Sequence, residues 1–150
     1  PKAHVLLALR HPCDVVLSCY MANFTLNRAM RSYTNLEEAA RTYDAIFENW
    51  HKARKLLPLD VHHVRYERMV ADLEGEMRPL ISFLGLPWRD EVLDNQASAA
   101  RRGLVRTASY SQIGQPLYTR SAGRWERYRR YLEPVIPILT PWVEKMGYLG

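Results

Sequence analysis

The chain is poor in the residues that build cross-linked or metal-clamped scaffolds, with two cysteines, Cys13 and Cys19, among 150 residues. They stand six apart in a helix-like stretch, a spacing that suits neither a disulfide framework nor a zinc knuckle, so both read as reduced packing residues. Long apolar runs are lacking as well. The longest, Val5 to Leu9, is strand-sized and far short of the roughly 20 residues that cross a bilayer. Pro1-Lys2-Ala3-His4 has no signal-peptide layout and runs straight into a strand. The chain therefore reads as an internal segment of a longer protein, and the cytoplasm is the expected compartment. Seven scattered glycines form no G-x-x-x-x-G-K-[ST] loop, which excludes a phosphate-cradling loop of that kind within these residues. Five histidines show no ligand spacing. His62-His63 is a strand dipeptide whose side chains point to opposite faces, and no metal site is expected.

What remains is an ordinary globular composition, 47% apolar and 25% charged, in a length that suits one domain with a real core. The net charge of +5 is unevenly spread. Between Gln96 and Leu132 lie eight arginines (101, 102, 106, 120, 124, 127, 129, 130) and one acid, Glu126, giving +7 there and −2 elsewhere. Such a patch suits an oxyanion partner, since guanidinium offers bidentate donors to phosphate. A solvated basic surface is the plainer reading of charge alone.

His4 to Leu9 is an apolar run without alternation, as in a parallel strand buried on both faces. Pro12 and Asp14 then start a helix with Val15, Val16, Cys19 and Tyr20 on its apolar face. Thr34-Asn35-Leu36-Glu37 has capping-box spacing, and apolar residues keep helical period from there to Pro58. Val61 to Tyr66 is a second strand. Met69, Val70, Leu73, Met77, Leu80, Ile81 and Leu84 trace one further helical stripe, ended by Gly85 and Pro87. A short helix is expected over Asp90 to Asn95. Ala97 to Leu117 lacks periodicity and reads as a functional loop. Beyond it, Arg120, Arg124, Arg127 and Tyr131 fall on one helical face and Trp125, Tyr128 and Leu132 on another, with Pro134 opening a last helix that closes near Gly147. Strands alternating with helices predict an α/β layer with parallel strands. Two strands alone make no stable sheet, so either further strands come from elsewhere or the chain is largely helical around a small sheet.

Arg10-x-Pro12-x-Asp14-Val15-x-x-Ser18 lies where a parallel strand ends and its helix begins, the place where open α/β sheets gather ligands. Arg10 and Ser18 can converge there on one phosphate. The alternative is Arg10 paired with Asp14 and Ser18 bonded to its own helix. Glu67, just after the second strand, reads as the partner of an arginine rather than as a base.

These residues resemble the 3′-phosphate-binding segment of sulfotransferases that use 3′-phosphoadenosine 5′-phosphosulfate (PAPS). Val64-Arg65-Tyr66-Glu67 and Phe83-Leu84-Gly85-Leu86-Pro87-Trp88 look like that fold's middle segment. Thr107-Ala108-Ser109-Tyr110-Ser111-Gln112 through Gln115-Pro116-Leu117-Tyr118, then Gly123-Arg124-Trp125, is similar to tyrosylprotein sulfotransferases and bacterial tetratricopeptide-linked relatives. The resemblance runs from Pro1 to about Tyr131. It implies an α/β fold, with residues 1–150 as the helix-rich C-terminal part of a P-loop-NTPase-like parallel-sheet sulfotransferase domain.

By that resemblance, Arg10 and Ser18 hold the 3′-phosphate and Tyr66 contacts the nucleotide. Ser109, Tyr110, Ser111, Gln112 and Pro116 wrap the cosubstrate, with Ser109 beside the transferring sulfuryl group as the candidate catalytic residue. Arg124 reaches a phosphate where eukaryotic relatives carry Lys. The implied cofactor is PAPS, its product is adenosine 3′,5′-bisphosphate, and the implied partner is an acceptor hydroxyl, protein tyrosine, carbohydrate or small phenol. Two departures stand out. The family's phosphosulfate loop and acceptor-activating base lie upstream of these motifs, so the chain is expected not to turn over alone; and Ala22 stands where tyrosylprotein sulfotransferases have another phosphate-binding Arg. Two readings compete. One is a single-stranded nucleic-acid-binding module, driven by the arginines with Tyr110, Tyr118, Trp125 and Tyr128 interleaved; the other is an interaction domain that has lost catalysis.

Overall fold

The structure is a computed structural model that describes residues 3–22, 24, 27, 28, 30–94 and 121–148. The chain divides into two compact units, residues 1–9 with 60–119 and residues 10–59 with 120–150.

In the first unit, β1 (His4–Leu9) and β2 (Asp60–Arg65) form a parallel pair in register from His4 opposite Asp60 to Leu9 opposite Arg65. The parallel pairing is as the two apolar runs predict. The expected burial of β1 on both faces is not: His4, Leu6 and Ala8 are exposed, Leu6 at 46%, and Leu9 alone is buried. Among the described residues the sheet has only two strands, so an apolar run does not by itself guarantee two covered faces. At the start of the pair, His4 Nδ1 lies 3.0 Å from Asp60 Oδ2, and the rings of His4 and His62 both pack on Phe83. His63 points the other way and is exposed.

Tyr66 leaves the expected strand and opens α3 (Tyr66–Ala71), followed by α4 (Leu73–Phe83). The predicted single stripe is thus two helices. Asp72 breaks it, adopting non-helical φ −147° and ψ 89° so that its carboxylate can accept the Gly75 amide at 2.9 Å and cap α4. A Cβ at residue 75 would lie 2.2 Å from Asp72 Oδ2, so a larger residue there requires the capping carboxylate to shift. Glu76 on α4 accepts the Arg65 backbone N–H at 2.6 Å and ties the end of β2 to that helix. The expected Asp90 to Asn95 helix is a 3₁₀ turn over Asp90–Leu93.

The second unit is helical. Its main helices are α1 (Pro12–Met21), α2 (Leu36–Leu56) and α6 (Ile136–Lys145), each packed on the other two. Ala39 and Ala40, fully buried, carry no side chain beyond Cβ and let neighbouring helices approach α2 closely. Around them sit Val16, Leu17, Tyr43, Leu132, Val135, Leu139 and Trp142. Trp142 Nε1 donates to Asp44 Oδ1 at 2.8 Å, and Tyr43 and Trp142 flank Phe47. The buried face of α1 is Cys13, Val16 and Leu17; Tyr20, predicted to share it, is 46% exposed.

Two helix starts differ from expectation. Asn35, not Thr34, caps α2, its side chain accepting the Glu37 and Glu38 amides at 2.9 and 3.0 Å. Thr34 is occupied in the preceding 3₁₀ turn, Met30–Thr34, where its hydroxyl donates to the Arg31 carbonyl. The last helix begins at Ile136 rather than Pro134, with Pro137 as its early proline. It closes as expected at Gly147, whose φ of +70° suits glycine.

Cys13 and Cys19 are free thiols. Burial, reinforced by the Asp14 charge, pushes the Cys13 thiol up to about 11, and burial raises Cys19 as well.

Two outcomes are expected. Asn35→Ala should lower stability by about 1 kcal/mol and Thr34→Ala by much less, read as urea midpoints; equal losses would contradict the cap assignment. The folded state keeps the Cys13 proton that the unfolded chain releases near pH 9, so this contribution is complete below pH 9 and is lost as pH rises toward 11. Cys13→Ala should flatten the alkaline decline in the urea midpoint, and an unchanged slope would contradict it.

Candidate functional site

The segment Arg10-His11 joins β1 to α1, and His11 is the helix cap, its Nδ1 accepting the Cys13 amide at 3.3 Å. The His11 ring is stacked on Trp125, with centroids 4.9 Å apart and planes 10° off parallel, and meets Tyr148 edge-on. The start of α1 is therefore packed against aromatic side chains from the C-terminal part of the same unit.

In the first turn of α1 lies Asp14, 1% exposed. Its Oδ2 accepts the Gly123 amide and its Oδ1 the Trp125 amide, both at 2.8 Å. Those amides sit at the start of a 3₁₀ turn, Arg124–Tyr128, so the carboxylate caps that turn from 109 residues away along the chain. Gly123 has φ +66° and ψ 14°, a left-handed conformation that glycine adopts without steric cost. Arg124 is the residue between the two captured amides. Its guanidinium carbon lies 5.8 Å over the Tyr128 ring. Arg10 adds a second tie to the same segment, Nη2 donating to the Ser121 carbonyl at 2.6 Å and lying 4.0 Å from Asp14 Oδ1.

Arg10 and Arg124, predicted from separate motifs, thus attach to one short backbone segment, 121–125. Ser18 stands one helical turn beyond Asp14 on α1, partly buried. The pairing of Arg10 with Asp14 is observed as a 4.0 Å contact, the shorter bond going to a neutral carbonyl. Tyr66, partly buried, opens α3 in the other unit. Ser109, Tyr110, Ser111, Gln112 and Pro116 lie outside the described residues, as does Arg120.

The predicted two-faced basic helix is a 3₁₀ turn followed by the single-turn α5 (Arg129–Leu132). Capping by Asp14 and the left-handed Gly123 start a tight turn, and a period of three keeps Arg124 with Arg127 and Trp125 with Tyr128. Leu132 is fully buried and Tyr131 is 67% exposed, as the faces predict.

Asp14 is the residue that the motif reading undervalued. Asp14 lies in the first turn of α1 and 4.0 Å from Arg10, as the motif predicts, but its tie to Gly123 and Trp125 has no local signature. The one available signal was that Arg10-x-x-x-Asp14 and Gly123-Arg124-Trp125 carried the same resemblance.

Chemically, two guanidiniums and a hydroxyl are donors suited to a phosphate dianion. With Asp14 counted, the set keeps a net charge of +1, so it fits an anion rather than a cation. No group of three or more His, Cys, Asp or Glu among the described residues could hold a metal ion. No described helix is long and apolar enough to cross a membrane.

A model of the sulfotransferase family matches residues 1–90, a span that includes Arg10, Ser18 and Tyr66. The chain is 32% identical over 150 residues to an uncharacterized protein of Aquifex aeolicus, the match covering 97% of this chain and 19% of that protein. It is 28% identical over 101 residues to Protein-tyrosine sulfotransferase 1 of Danio rerio, covering 64% of this chain and 27% of the enzyme. The chain thus spans less than a third of the length of either relative. With the family model matched over 90 of its 150 residues, and Arg10 and Ser18 inside that match, the chain belongs to the sulfotransferase family.

Proposed function

We propose that this chain supplies the 3′-phosphate and nucleotide contacts of a sulfotransferase that moves a sulfuryl group from PAPS to an acceptor hydroxyl. The observation that carries the reading is the convergence on segment 121–125: Arg10 donates to Ser121, and Asp14 fixes the backbone on both sides of Arg124.

In this reading PAPS brings the sulfuryl group and, as it departs, negative charge grows on the bridging phosphate oxygen. Arg10 and Ser18 hold the 3′-phosphate. A guanidinium presents five N–H donors on a rigid fork, so anchoring Nη2 to a carbonyl orients the fork. Arg124 reaches a second phosphate and Tyr66 contacts the nucleotide. Ser109 donates to the developing charge, and Tyr110, Ser111, Gln112 and Pro116 enclose the cosubstrate. Donors held in place before reaction lower the barrier because they need no reorganisation as charge develops.

Residues 1–150 form one partial sulfotransferase domain in this proposal. The phosphosulfate loop and the base that activates the acceptor lie in chain outside it, and turnover requires them. The similarity to a protein-tyrosine sulfotransferase makes a tyrosine hydroxyl the first acceptor to assay.

The test is a calorimetric titration of this chain with adenosine 3′,5′-bisphosphate, 5′-AMP and a short single-stranded DNA at two salt concentrations. Bisphosphate should bind well ahead of 5′-AMP. With charge-assisted bonds worth roughly 1.5–3 kcal/mol each, Arg10→Ala should weaken bisphosphate binding about tenfold or more. Equal affinity for bisphosphate and 5′-AMP, or tight DNA binding that falls steeply with salt, would overturn the proposal.

A further inference from the structure

We infer that Asp14 is a positioning residue for phosphate binding: its buried carboxylate sets the affinity of the site by holding Arg124 and Arg10 in register, although its own charge opposes the ligand. The inference rests on the function proposed above and goes further, because it makes a buried acid favourable to the binding of an anion.

The geometry supplies the argument. A carboxylate beside an arginine ordinarily weakens that arginine for an anion, by occupying its donors and cancelling its charge. Here both Asp14 oxygens are taken by backbone amides at 2.8 Å, and the nearest Arg10 nitrogen stands at 4.0 Å, beyond hydrogen-bond length. The hydrogen bond of Arg10 Nη2 is made instead to the Ser121 carbonyl, two residues before Gly123. Asp14 therefore holds the segment, and the segment holds Arg10. On the other side, Arg124 has a captured amide before it and another at the next residue, so its backbone cannot swing without breaking a bond to a buried charge. One side chain on α1 thus fixes the relation between two cations that lie more than 100 residues apart in the chain.

Asparagine at position 14 separates positioning from charge. It keeps nearly the same shape but has one acceptor oxygen and one NH₂, so it can accept from Gly123 or from Trp125 and must turn a donor toward the other. It also removes a negative charge. If charge alone mattered, Asp14→Asn would bind anions more tightly; if positioning governs, it binds them more weakly. Gly123→Ala perturbs the same turn with every charge untouched, since alanine is strained at φ +66° and its Cβ would meet Glu126 Oε1 at 3.4 Å.

The experiment measures adenosine 3′,5′-bisphosphate and 5′-AMP affinities for wild type, Asp14→Asn, Gly123→Ala and Asp44→Asn. The last variant removes a carboxylate charge and weakens its bond from Trp142 in the same unit, away from Arg10 and Arg124, and controls for the loss of a carboxylate as such. Amide exchange at Gly123 and Trp125 is read in parallel. Expected are a loss of about tenfold in bisphosphate affinity for Asp14→Asn, a smaller loss for Gly123→Ala, faster exchange of the two amides, and no affinity change for Asp44→Asn. Wild-type preference for bisphosphate that Asp14→Asn retains or strengthens would overturn the positioning role while leaving the proposed function standing. Wild type without that preference would overturn the proposed function, and this inference with it. Should Asp14→Asn not fold, Gly123→Ala decides alone, and unchanged bisphosphate affinity in that variant overturns the positioning role.

Discussion

A carboxylate at 1% exposure needs compensation for the hydration it has given up, and in this chain Asp14 finds it in two backbone amides and a nearby guanidinium. Much of the helical unit is arranged around that need. The amides belong to a turn that begins with a left-handed glycine; the turn places Trp125, whose ring stacks on His11; and His11 caps the helix that carries Asp14. The loop of dependence is closed, so loss of any member leaves unsatisfied backbone groups or an exposed ring. Charge-assisted bonds of this kind contribute roughly 1.5–3 kcal/mol each, a sizeable fraction of a domain's net stability of about 5–15 kcal/mol, and stability and site geometry here share the same atoms.

Under the proposed function, the backbone of Arg124 and the Nη2 of Arg10 are tied by the fold before a ligand arrives. Arginine is entropically expensive to fix, and a site that immobilises it before binding spares the ligand that cost. The chain belongs to the sulfotransferase family, and under the proposed function the preset donors would receive the charge that sulfuryl transfer builds on a phosphate.

Element order, the parallel strand pair, the long α2 and the end of the last helix were all legible, because each is written in local periodicity, proline or glycine. Arg10 and Ser18 were legible as site candidates because one stands at a strand end and the other lies in the helix that follows; Tyr66 was a candidate only through the resemblance to sulfotransferases. What local pattern could not supply was competition between neighbours. Thr34 and Asn35 are both good caps, and Thr34 was lost to a preceding turn. Asp72 interrupts an unbroken apolar stripe, because its carboxylate bonds the Gly75 amide better outside a helix than within one. The exposure of β1 depends on what covers it, which a strand's own residues do not encode. The role of Asp14 depends on partners 109 and 111 residues away.

The central claim is that Arg10 and Arg124 serve one bound phosphorylated nucleotide through a shared backbone anchor. Following the side-chain N–H resonances of both arginines by NMR during addition of adenosine 3′,5′-bisphosphate tests it most directly. The account predicts that both shift, with the same saturation profile, and that 5′-AMP at equal concentration moves them little. A shift of one without the other, or of neither while the nucleotide binds elsewhere, would contradict it.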